Sequence, residues 1–91
     1  MIGDPYELPL IRADDYDAFR AIPTLDLPDT YDEWLQLFSE RKLEHAQRGF
    51  RIIEVEINSG EFTRYLRAKG TSANLQILRN FTIEKSLGNH Y

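Results

Sequence analysis

The seven residues "RIIEVEI" (Arg51–Ile57) constrain this chain more than any other stretch. Arg51, Ile53, Val55 and Ile57 fall on one face of an extended chain. Phe50, Ile52, Glu54 and Glu56 fall on the other. Period-two alternation rich in β-branched residues specifies a strand. The two glutamates require one face to be partly wet, which favours an antiparallel arrangement over a parallel strand covered on both sides.

The residues around the strand read mostly as helix. "TYDE" (Thr30–Glu33) has the spacing of a capping box and opens a helix over about 30–48. Tyr31, Trp34, Leu35 and Phe38 form its apolar stripe, with Leu43 and Ala46 as an extension. Gly49 is its natural stop. After the strand, Asn58 or Ser59 caps a helix over about 59–69, Asn58 with Glu61 having the spacing of a variant capping box; its inward face is Phe62, Tyr65 and Leu66, and Gly70 ends it. A last helix over about 72–87 begins at Ser72 and carries Leu75, Ile77, Leu78, Phe81, Ile83 and Leu87. Near the start, "ELPLIR" (about 7–12) suits a short second strand. Pro9 has no backbone donor and would place that strand at a sheet edge. Asp14 is a cap for a helix over about 14–22, with Tyr16, Phe19 and Ile22 on one face. Pro23–Pro28 is a stiff connector. The fold expected is a single, mostly helical α+β domain over 1–91, with residues 1–6 and 89–91 as loose termini.

Composition narrows the chemistry. The 91 residues contain no cysteine, which excludes disulfides, thiolate catalysis and cysteine-bound metals. The absence of disulfides suits a reducing compartment. The first residues, "MIGDPYELPLIRADD", lack the basic start and apolar run of a leader peptide. No stretch approaches the roughly 20 apolar residues of a membrane span. The expectation is a cytoplasmic protein with no membrane partner.

His45 and His90 lie far apart in sequence, His45 in the charged run "SERKLEHAQR" and His90 beside the C-terminus. Neither has a serine at a recognisable nucleophile motif. "ADDYD" offers three carboxylates, but the turn glycine and terminal glutamate of a calcium loop are missing. "AKGTS" has no phosphate-loop pattern. No catalytic, cofactor or metal residue is assigned, and a non-enzymatic role is expected.

The net charge of −4 is uneven: residues 1–49 carry −6 and residues 50–91 carry +2. The acidic half repels nucleic acid and suits a basic partner surface.

From about Arg51 to Leu87, the strand–helix–helix order, the "KGTS" turn and the apolar last helix resemble the ribbon–helix–helix family. The resemblance implies a dimer whose strands pair as an antiparallel ribbon, with Ile52, Glu54 and Glu56 toward the DNA bases and the amides near Ser72 and Ala73 on a phosphate. Two physical points oppose the DNA function. Base readers are mostly Arg, Lys, Asn and Gln. A ribbon two-fold at residue 54 or 55 also sets glutamates opposite one another, which destabilises the pair; a two-fold at residue 53 avoids this. The leading expectation is therefore a protein-interaction module that forms a homodimer or binds another protein. Its candidate surface is Ile52, Glu54 and Glu56 on the strand and Ile77, Ile83 and Leu87 on the last helix. The alternative is a ribbon–helix–helix-type DNA-binding regulator.

Overall fold

The computed structural model describes residues 3–91. It is an α+β domain: β1 (Pro5–Ile11), a single 3-10 turn (Ala13–Asp15) running into α1 (Tyr16–Arg20), α2 (Tyr31–Gln47), β2 (Arg51–Ile57), α3 (Ser59–Lys69) and α4 (Leu75–Ser86). Of the N-terminal residues expected to be loose, Met1 and Ile2 lie outside the described residues, while Pro5 and Tyr6 begin β1.

The helix ends follow local chemistry. Thr30 Oγ1 accepts from the Glu33 amide at 3.1 Å and donates to Glu33 Oε1 at 3.0 Å. Asn58 Oδ1 accepts from the Glu61 amide at 2.7 Å. At the far end of α2, the Phe50 amide bonds the His45 carbonyl and the Gly49 amide bonds the Ala46 carbonyl. That pair of hydrogen bonds needs Gly49 at φ +92, where a side chain would be strained. Gly70 closes α3 in the same way at φ +62.

Two expected helix starts are displaced. The last helix starts after Asn74 and not at Ser72, because the Asn74 side chain accepts from the Ile77 amide at 2.8 Å. The expected 14–22 helix is only Tyr16–Arg20, and Asp14 does not cap it. Asp14 pairs with Arg12 at 3.2 Å. Its neighbour Asp15 reaches across the fold and accepts from the Ser59 amide at 2.7 Å and the Ser59 hydroxyl at 2.6 Å. One carboxylate thus fixes the start of α3, 44 residues away.

The two strands pair in parallel, not antiparallel as expected, with Pro5 opposite Arg51 and Ile11 opposite Ile57. Residues 12–50 lie between them and contain α1 and α2. A helical crossover of this kind returns the chain in the same direction. Leu8 pairs beside Glu54 and is buried, so half of the face with the glutamates is covered after all. α2 lies on that face: Lys42 Nζ is 2.8 Å from Glu54 Oε1, and the His45 ring stacks on Tyr6 at 3.8 Å. His45, expected to be solvated, is therefore half-buried. On the opposite face Ile11, Val55 and Ile57 join Phe19, Phe62, Tyr65, Leu78 and Phe81 in one core. Trp34 and Phe38 of α2 are buried as expected, but Leu43 is 60% exposed, so the stripe stops short.

Asp15→Ala should lower the unfolding free energy by about 1–2 kcal/mol, the scale of a lost cap plus a charge-assisted bond. Asp14→Ala, at an exposed pair, should change it by less than about 0.5 kcal/mol. Urea denaturation of both variants checks this.

Candidate functional site

The backbone ladder decides which strand edges are open. The Arg51 amide donates to the Asp4 carbonyl at 2.8 Å. With the parallel register, residues 6, 8 and 10 of β1 and residues 51, 53, 55 and 57 of β2 direct their backbone groups at one another. Pro5, Glu7, Pro9 and Ile11 direct theirs outward from β1. Ile52, Glu54 and Glu56 direct theirs outward from β2.

The two outer edges differ chemically. On β1, Pro5 and Pro9 have no N–H to offer. The Glu7 carbonyl is taken by Arg79 Nη1 at 3.1 Å, and the Ile11 carbonyl by the Tyr31 hydroxyl at 2.7 Å. That edge is blunted. The outer edge of β2 has no proline, and no group among the described residues bonds the backbone N–H or C=O of Ile52, Glu54 or Glu56. A row of unpaired donors and acceptors is a template for another strand. The glutamate side chains beside it are offset by Lys42 at 2.8 Å from Glu54 and Arg12 at 3.9 Å from Glu56.

The other candidate residues divide. Ile77 is half-buried against the core. Ile83 is half-exposed and stands apart from the core contacts, and Leu87 is 75% exposed. The structure thus places Ile52, Glu54 and Glu56 together on one strand, and Ile83 and Leu87 together near the end of α4.

A cleft of about 390 Å³ lies along the blunted edge of β1, between α2 and α4. Sequence reasoning missed it. Its lining comes from three separate elements, so no single motif announces it.

The end of α4 holds a dense ionic cluster. Lys85 Nζ is 2.6 Å from Glu61 Oε1, with both side chains less than one-fifth exposed. The Lys85 bond holds the Glu61 carboxyl below its ordinary range against the cost of burial. Glu61 Oε2 is buried with no partner among the described residues. Glu84 accepts from Tyr91 at 2.5 Å and Tyr65 at 2.9 Å, and these bonds, the Tyr91 one foremost, lower its pKa. Burial, together with the Glu84 carboxylate, pushes the Tyr65 phenol up to about 12. These groups are paired to one another and latch the C-terminus, with Tyr91 edge-on to Tyr65 at 4.9 Å.

Among the described residues no group of three or more His, Asp or Glu side chains could hold a metal ion. No described helix is long and apolar enough to cross a membrane. No protein-family model, curated protein or solved structure matches the chain.

Lys85→Met leaves Glu61 buried without its cation and should cost about 2–3 kcal/mol, the buried-pair scale reduced for partial exposure. Glu61 and Glu84 have depressed pKa values in the fold, so their contribution is present above the ordinary carboxylate range and is lost as pH falls through the depressed values. Tyr65 works in the opposite sense. Its raised value stabilises fully below the ordinary tyrosine range and is lost as pH rises toward about 12. Thermal melts across pH should therefore show losses at both ends, with the acid loss reduced in Lys85→Met.

Proposed function

We propose that the protein is a non-enzymatic interaction module that joins a second copy of itself through the outer edge of β2. The observation that carries this reading is the asymmetry of the two edges. β1 is interrupted by two prolines without N–H and by two carbonyls that Arg79 and Tyr31 occupy, whereas β2 presents Ile52, Glu54 and Glu56 as an unbroken run with free backbone groups. A two-stranded sheet is marginal alone, and pairing of β2 with β2 of a partner makes four strands. An antiparallel pair with its two-fold at residue 53 sets Ile52 opposite Glu54 and avoids glutamate against glutamate. Exposed Leu87 and half-exposed Ile83 add apolar area for a partner to cover.

A second reading, DNA binding of ribbon–helix–helix type, draws support from the order β2–α3–α4 and from the same free edge. Against it, Glu54 on the face that would meet DNA is held by Lys42 of α2.

Size exclusion with light scattering at about 100 μM should give the dimer mass. Glu54→Pro removes an outward N–H and the partly exposed Lys42 ion pair but leaves the β1 ladder intact, so this variant should remain folded and run as a monomer, while Glu54→Gln, which lacks the carboxylate alone, should remain a dimer. A monomeric parent chain would contradict the reading. Tight, salt-sensitive binding to duplex DNA in an anisotropy titration would favour the second one.

A further inference from the structure

The cleft beside β1 carries chemistry that the strand edge does not use. Trp34, Leu37 and Phe38 of α2 and Leu75 and Leu78 of α4 give it apolar walls. Two cations, Arg41 and Arg79, line the same space. Neither has a carboxylate within 4 Å among the described residues, although the chain as a whole is acidic. Glu7 is the one acid in the lining, and its carboxylate lies outside ion-pair range of both guanidinium groups.

Arg79 is held in position before any ligand arrives. Its guanidinium lies 4.1 Å from the centre of the Tyr6 ring and spends one N–H on the Glu7 carbonyl. A guanidinium has five N–H groups, so a fork remains for a planar oxyanion. Trp34 is 6% exposed, and its indole N–H has no acceptor among the described residues. At about 390 Å³ the cleft falls in the size range of small-molecule sites, about 300–1,000 Å³.

We infer that this cleft binds a small amphipathic carboxylic acid, with its apolar body against Trp34, Phe38 and Leu78 and its carboxylate on Arg41 and Arg79. The charge pattern selects a carboxylate over a neutral apolar ligand. The walls select an apolar body over a bare inorganic anion. The blunted β1 edge argues against an added strand here, because Pro9 and the occupied Glu7 carbonyl interrupt the ladder that such a strand needs.

The chain's single tryptophan lines the cleft and reports on it directly. Titration with octanoate should change Trp34 emission saturably, with a Kd below about 1 mM. Octan-1-ol should bind at least tenfold more weakly, and inorganic phosphate should give no saturable change. Arg41→Gln, at an exposed position, should weaken octanoate at least tenfold with no change in melting temperature. Arg79→Gln should weaken it at least as much. No saturable octanoate binding, equal binding of octanoate and octanol, or full binding by both arginine variants would overturn the inference. A Trp34 shift that follows protein concentration without ligand and persists in the Glu54→Pro variant would show a second copy in the cleft and would also overturn it. The outer edge of β2 lies on the far side of the sheet, so failure here leaves the dimer reading standing, and the reverse holds.

Discussion

Arg51 donates its amide to the Asp4 carbonyl at 2.8 Å, and the ladder that begins there determines the rest of the molecule. It fixes the strands as parallel, so residues 12–50 must cross over with their helices against the sheet. It fixes the register, which sets Leu8 beside Glu54 and Ile11 beside Ile57. It also fixes which backbone groups face outward. A slip of one residue would turn the prolines of β1 inward, where their missing N–H groups would break the ladder, and would invert every side chain.

The same ladder separates two surfaces on opposite sides of the sheet. Along β1 the N–H groups of Pro5 and Pro9 are absent, the carbonyls of Glu7 and Ile11 are already bonded, and the space beyond them is walled by α2 and α4. Along β2 the outward groups are free. The two candidate sites thus have different physics: a walled cleft with two arginines on one side, and an unpaired strand edge on the other. The ionic cluster of Glu61, Lys85, Glu84, Tyr65 and Tyr91 belongs to neither, since its members are engaged with one another and hold the C-terminus onto the core.

Local signals in the sequence were legible where local bonds decide the outcome. Thr30 and Asn58 cap as their spacing indicates, and Gly49 and Gly70 stop helices as expected. Pro9 marked an edge strand, and the structure places it on one. Strand direction was not legible, because the glutamates of β2 are compatible with either direction once Lys42 and Arg12 offset them. The role of Asp15 was hidden for a similar reason, since its partner Ser59 is remote in sequence. The β1 cleft was invisible because Tyr6, Trp34 and Arg79 sit on β1, α2 and α4 and meet only in the folded chain.

Amide hydrogen exchange by NMR at several protein concentrations separates the inward from the outward amides of β2. Ile53, Val55 and Ile57 donate inward to β1 and should be protected at every concentration. Ile52, Glu54 and Glu56 donate outward, so their amides should exchange fast in dilute protein and become protected as concentration rises and β2 edges pair. Fast exchange at Ile52, Glu54 and Glu56 at all concentrations would contradict pairing through this edge, and loss of the alternation in dilute protein would contradict the ladder itself.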